Sequence, residues 1–161
     1  MPTNNSREAL LCALKLLSLR NHSERELRQK LLKKGFIRES VEGVLEKLLE
    51  DGVLDDRKFG MEFIRSRSRR KPSGKLKMRS ELQKRGIEDG LIQELLGDYE
   101  SPELCLRAAE KKILTLQSKS EADQKKKLEV FLHNRGFGWQ EMQTVLKQFF
   151  PAGSEDDEEF G

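Results

Sequence analysis

Apolar residues recur along this chain at offsets of three, four and seven, the spacing of one face of a helix rather than the alternation of a strand. The pattern itself comes three times. Gly35, Gly86 and Gly136 each follow a basic residue and precede an apolar one, as Lys34-Gly35-Phe36, Arg85-Gly86-Ile87 and Arg135-Gly136-Phe137, at intervals of 51 and 50 residues. Eight positions before each glycine stand Leu27, Met78 and Leu128, and four before stand Leu31, Leu82 and Leu132. Six after come Val41, Ile92 and Met142; nine and ten after, Val44-Leu45, Leu95-Leu96 and Val145-Leu146; thirteen after, Leu48, Tyr99 and Phe149. A repeated unit that needs its neighbours to cover an apolar face is the mark of a tandem helical array, a form suited to long partners more than to a catalytic pocket.

The glycine reads as a helix C-cap. With Gly35 as the left-handed C′ residue, Leu31 is C3 and Phe36 is C″, the two side chains that meet in a Schellman motif, and Leu82 with Ile87 and Leu132 with Phe137 hold the same places. Helix, glycine turn, helix, three times over, predicts an all-α fold. About nine helices form three tandem three-helix repeats in an elongated array: residues 1–54, 55–99 and 100–153, with an acidic tail at 154–161 expected to be disordered.

In the first repeat, a disordered start at 1–6 precedes a helix over about 7–20 that buries Leu10, Ala13, Leu14 and Leu17. Ser23 with Glu26 makes the S-x-x-E capping box of the second helix, which stops at Gly35, and a third runs over about 38–51 to Gly52. Asp55-Asp56 suit the N-terminus of the fourth, with Phe59, Phe63 and Ile64 on one face. Pro72 and Gly74 break the chain before a fifth helix from about 73 to 85 and a sixth over 88–99. Ser101 as N-cap with Pro102 at the first helical position opens the seventh, to about 117; the eighth covers 120–135, and the ninth ends before Pro151.

Composition changes this picture little, charge more. Hydrophobic content of 35% beside 37% charged residues is lean for one large core and suits thin helical modules. The net charge of +3 hides an asymmetry: the three repeats carry +2, +4 and +2, and the last eight residues −5. A body of +8 favours a polyanion. Cys12 and Cys105 lack paired spacing and lie on apolar helical stretches, so they read as buried free thiols of a reducing compartment. The run 9–19 is interrupted by Lys15 and followed by Arg20-Asn21-His22, unlike a signal peptide, and no segment has the length to span a bilayer. A cytoplasmic monomer is expected.

From 65 to 79 eight basic residues stand with no acid: Arg65, Arg67, Arg69, Arg70, Lys71, Lys75, Lys77 and Arg79. At 100° per residue the first five point around the whole helix and leave no face to bury. One or two cations would complement a helix C-terminus, each by ~0.3–1 kcal/mol; eight repel one another unless an anionic partner takes them up. They are the candidate binding site for a polyanion or an acidic protein surface, with Ser66, Ser68, Ser73 and Ser80 as further donors to phosphate. A helix-turn-helix repressor would put the third helix of a unit in the major groove. Here that helix is acidic, with Glu39, Glu42, Glu46, Glu50 and Asp51 in one repeat and Glu88, Asp89, Glu94 and Asp98 in the next. DNA would then be met by backbone charge with little sequence readout.

No catalytic constellation, phosphate loop or metal-ligand spacing occurs, so neither an enzyme, a cofactor nor a metal is expected. His22 and His133 read as solvent-exposed or cap residues, and Trp139 as a module-packing aromatic.

The order of these residues resembles a family. Arg20-Asn21-His22-Ser23-Glu24-x-Glu26-Leu27-Arg28-x-Lys30-Leu31, then Leu54-Asp55-Asp56 with Phe59, Phe63 and Arg67, then Gly74 leading to Glu81-Leu82-x-x-Arg85-Gly86-Ile87, are similar to the signature run of bacterial RecX, with Arg135-Gly136-Phe137, Trp139 and Val145-Leu146 like its third repeat. Gly60 departs from it, where a small residue such as alanine is usual, and so does Lys75-Leu76-Lys77-Met78, where an arginine-rich stretch is usual. The resemblance implies a non-enzymatic cytoplasmic modulator of the RecA recombinase in DNA repair and recombination. It would lodge in the groove of the RecA–DNA filament, limit its growth, and damp its ATPase and strand exchange, with single- or double-stranded DNA met through the basic surface. Two other readings stay open: a sequence-independent nucleic-acid-binding helical repeat protein with no recombinase partner, and a general helical scaffold.

Overall fold

A computed structural model of the chain describes residues 5–151. Among them are nine helices, α1 (Ser6–Leu19), α2 (Glu24–Lys33), α3 (Arg38–Glu50), α4 (Asp56–Arg70), α5 (Lys75–Lys84), α6 (Asp89–Leu95), α7 (Ser101–Leu114), α8 (Glu121–Asn134) and α9 (Trp139–Phe149), and no strand. None of these helices is long and apolar enough to cross a membrane. The acidic tail and residues 1–4 of the start expected to be disordered lie outside the described residues; the other two residues of that stretch are ordered, α1 beginning at Ser6 with the Asn5 side chain accepting from the Glu8 amide at 3.1 Å.

The repeated apolar positions are the buried ones. Leu27, Met78, Leu128, Leu31, Leu82 and Leu132 are wholly buried, and Val41, Ile92 and Met142 nearly so; truncating such a leucine to alanine costs about 2–5 kcal/mol. The three turn glycines have positive φ, +101°, +87° and +83°. Each turn closes on the bond a Schellman motif requires, from the Phe36, Ile87 and Phe137 amides to the Leu31, Leu82 and Leu132 carbonyls.

Two compact units result, one of residues 5–63 with 81–95, the other of 64–80 with 96–151. The core of the first gathers Ala9 and Ala13 of α1, Leu27 and Leu31 of α2, and Val41, Val44, Leu45 and Leu48 of α3. That of the second gathers Cys105 and Ala109 of α7, Leu128 and Leu132 of α8, and Met142, Val145 and Leu146 of α9, with Phe137. Both cysteines are free, and burial, with Glu141 nearby, pushes the Cys105 thiol up to about 12.

Inside each unit a turn glycine seats on the start of a helix from the preceding repeat. A Cβ at Gly86 would stand 2.5 Å from Cβ of Arg25, and one at Gly136 2.7 Å from the backbone nitrogen of Lys77. The basic residue before the glycine completes each joint. The Arg85 carbonyl accepts from Ser23 Oγ at 2.5 Å while its guanidinium donates to Glu26 at 2.9 Å. The Arg135 carbonyl accepts from the Gly74 amide at 2.7 Å while its guanidinium donates to the Pro72 carbonyl at 3.0 Å.

Some expectations shift. On α1 the stripe of small residues, Ala9 and Ala13, is fully buried, whereas Leu14 is 40% exposed; alanines let α3 approach closely and turn the leucines to the rim. The Ser23–Glu26 capping box is present. Asp55 caps α4 by accepting from the Arg57 and Lys58 amides. Asp56 accepts instead from the Glu24 amide at 2.8 Å, and burial raises its carboxyl above the ordinary range. Helix α6 ends at Leu95, well before Tyr99, because Gly97 is a poor helix former and the chain turns there. Ser101 is the first residue of α7 rather than its cap, with its hydroxyl donating to Glu141 at 2.8 Å. His22 is buried, not exposed: its ring binds the Arg20 carbonyl through Nδ1 and meets the Lys30 ammonium through Nε2 at 2.8 Å. Trp139, at 66% exposure, packs no module; Phe137, two residues earlier, is the buried aromatic. At Gly60 a Cβ would lie 2.5 Å from Leu95 Cδ1, which accounts for glycine in mid-helix.

Candidate polyanion interface

The eight cations of the 65–79 run all belong to the second unit. Arg65, Arg67, Arg69 and Arg70 end α4, Lys71 begins the turn, and Lys75, Lys77 and Arg79 lie on α5. Six are exposed; Arg67 and Lys77 are half-buried, so the end of α4 does keep a packed side, shared by Ile64 and Ser68.

What holds this hairpin is its backbone. Pro72, Ser73 and Gly74 are buried, although the residues on either side are charged and exposed. The Tyr99 hydroxyl donates to the Ser73 carbonyl at 2.6 Å, and the Arg135 side chain and carbonyl take the Pro72 carbonyl and Gly74 amide. A Cβ at Gly74 would collide with the backbone of Gly136, so only glycine allows the two chains to meet. Burial of the Tyr99 phenol raises its ionisation above the ordinary 10.0, keeping it a donor at neutral pH. Ser73 Oγ donates to the Lys71 carbonyl at 2.9 Å, which withdraws it from the set of phosphate donors; Ser66 and Ser80 remain exposed. The cations therefore project from an anchored turn, and an ion meeting them does not first have to order the chain.

Helix dipoles separate this run from ordinary surface charge. Arg67, Arg69 and Arg70 in the last turn of α4 are favourably placed. Lys75 and Lys77 open α5, a helix with no acid in its first turn, where cations oppose the dipole. Placing positive charge at a positive helix end costs a few tenths of a kcal/mol or more per residue, and an anion there reverses the sign. The hairpin can make charge-assisted hydrogen bonds to phosphate or carboxylate, Arg through paired N–H groups and Lys as a point charge.

The sequence reading missed Arg135 and Tyr99. Sequence spacing marks both only as positions of the repeat pattern, whereas their polar ends fix the basic turn. Arg135 also lies 4.5 Å from the centroid of the Phe131 ring, as Arg85 lies 5.2 Å from that of Phe63, so both turn arginines share an aromatic seat.

Comparison with known proteins bears on the family and the fold. Residues 9–48 match the family model described as RecX, first three-helix domain, and residues 55–96 that described as RecX, second three-helix domain. A protein named Regulatory protein RecX from Pelodictyon phaeoclathratiforme is 58% identical over 158 residues, covering 98% of this chain and 99% of its own length. One of the same name from Chlorobium limicola is 45% identical, covering 96% and 98%. The crystal structure of RecX from Lactobacillus salivarius has the same fold, with a TM-score of 0.77 at 20% identity over 89% of this chain and 95% of that one.

Proposed function

The chain belongs to the RecX family, and from that premise we propose that it regulates the RecA recombinase by binding the RecA–DNA filament and lowering its ATPase and strand-exchange activity, without catalysis of its own. The observation that carries this reading is the anchored hairpin with Arg65, Arg67, Arg69, Arg70, Lys71, Lys75, Lys77 and Arg79, a concentration of cations that an anionic partner would balance. In this reading three repeats, 1–54, 55–99 and 100–153, act together on successive elements of a repeating lattice. Several weak contacts on one lattice gain from effective concentration. The protein works in the cytoplasm as a monomer, with DNA met through backbone charge.

The test is the DNA-dependent ATPase of a cognate RecA, titrated with this protein. Inhibition at substoichiometric amounts is expected. Full ATPase activity up to equimolar protein would overturn the proposal. Affinity for bare single-stranded DNA equal to that for the filament would favour plain nucleic-acid binding instead.

A further inference from the structure

A second cationic surface lies outside both segments matched to the family. An open groove of about 740 Å3 runs between α7 and α8, lined by Lys112, Lys119, Lys126 and Lys127, with Val130 and Phe131 among its apolar residues. Asp123 is its one acid. Lys112 stands in the last turn of α7 and residues 115, 116 and 119 in the turn that follows it, while α8 presents 123, 126, 127, 130 and 134 at helical spacing from the other side. None of the four lysines makes an ion pair within the described residues. Lys112 instead stands 5.2 Å from the centroid of the Phe131 ring, whose other cationic neighbour is Arg135. Arg135 is the residue that binds the Pro72 carbonyl, so the groove adjoins the basic hairpin inside one unit.

We infer that the α7–α8 groove binds the sugar–phosphate backbone of a single nucleic-acid strand. Two features select this occupant. The described part of the second unit carries seventeen Lys and Arg against eight Asp and Glu, a net +9, which suits a polymer with one charge per monomer. Val130, 54% exposed beside Phe131, offers an apolar floor to bases or sugars while lysines on both walls take phosphates. An acidic peptide would use the charge and leave this floor unexplained. The inference concerns bare nucleic acid and stands apart from the RecA reading.

The experiment is fluorescence anisotropy of a labelled dT oligomer of about 20 nucleotides with the full chain and no recombinase. Lys126→Ala with Lys127→Ala is expected to weaken binding at least ~3-fold at ~50 mM salt, and to flatten the plot of log K against log salt by about 1.4, the ~0.7 per phosphate contact of single strands. Lys111→Ala with Lys147→Ala removes the same charge from exposed positions of the same unit outside the groove, and is expected to leave the slope unchanged. Circular dichroism and melting check that both variants fold. Equal losses in the two double variants, or no binding by the parent protein, would overturn the inference. So would displacement of the labelled strand by oligoglutamate as effective as by unlabelled dT at matched charge, which would identify an acidic protein segment as the occupant.

Discussion

Gly86 holds a φ of +87° while its α-carbon lies against the stem of Arg25, so any side chain there meets two penalties at once. The left-handed backbone alone costs an L-residue about 1–2 kcal/mol, more when it is β-branched. Gly86→Val is therefore expected to lower stability by more than ~1 kcal/mol, read as a drop in thermal midpoint; an unchanged midpoint would contradict the joint described above. His22 yields a second expectation. Burial holds its imidazole below the ordinary 6.5, and the charges of Arg20 and Lys30 add to this against the opposing pull of the Arg20 carbonyl and Glu26. A depressed base is neutral in the folded state and charged in the unfolded one, so its contribution is whole above pH 6.5 and is lost as pH falls through the lower folded value. Glu26 acts in the same direction further down. Burial pushes it up, but bonds from the Ser23 amide, Arg85 and Arg20 prevail and hold it below 4.5. The thermal midpoint is thus expected to fall between pH 7.5 and 5.5, less so in His22→Asn, and again below about pH 4.5 in both. Of these residues the glycine was legible in the sequence, because a left-handed cap has a residue type and a fixed distance to its leucine. His22 was not, since its burial comes from Lys30 one turn and more along α2 and from the backbone at Arg20, neither of which any spacing rule marks.

At the scale of elements, the basic hairpin joins two helices whose charges obey opposite rules: α4 ends in cations that its dipole favours, and α5 begins with cations that its dipole opposes. Arg65, Arg69, Arg70 and Lys71 are all exposed, and surface charges contribute little to folding. Their joint replacement by alanine is expected to weaken binding to the RecA–DNA filament, measured by co-sedimentation, and to leave helicity and melting nearly unchanged. A steep salt dependence in the parent protein would mark phosphate as the contact, and a shallow one a protein surface. Unchanged filament affinity would reduce the run to solvated surface. Tyr99→Phe tests the anchor: it deletes the bond to the Ser73 carbonyl together with the hydroxyl's contact with Ser68, and a cost of about 0.5–1.5 kcal/mol in stability is expected per hydrogen bond. Helix number and nearly all helix ends were legible from periodicity, caps and glycines. The short α6 and the shifted start of α7 were not, because the positions of Leu96, Tyr99 and Ser101 are decided by what they touch: Leu96 is buried, Tyr99 reaches Ser73, and Ser101 reaches Glu141. Likewise the basic run was visible as a string of letters, whereas its clamp was invisible, since Arg135 lies 63 positions from Pro72 in the chain.

For the whole molecule, the division of charge matters more than its sum. Counted by repeats the body is evenly positive, +2, +4 and +2. Counted by compact units it is not: the described residues of the first unit carry fourteen basic and fifteen acidic side chains, while those of the second are at +9. The difference arises because 64–80, with its eight cations, folds with the third repeat, a fact of tertiary contact that no local pattern announces. The proposed polyanion binding accordingly falls on the second unit, after which the sequence continues to Glu155, Asp156, Asp157, Glu158 and Glu159. Five acids tethered to a cationic unit would be at high effective concentration near it, and would then compete with phosphate for it. Truncation after Gly153 changes the net charge from +3 to +8. It is expected to tighten binding of a dT oligomer or of the filament at ~50 mM salt, where the Debye length exceeds ~10 Å, and to do so progressively less as salt is raised toward 1 M and that length shrinks to ~3 Å. A gain that persists at high salt would point to steric exclusion rather than charge. Matched affinities of full-length and truncated protein at low salt would confine the acidic segment to a solubilising role.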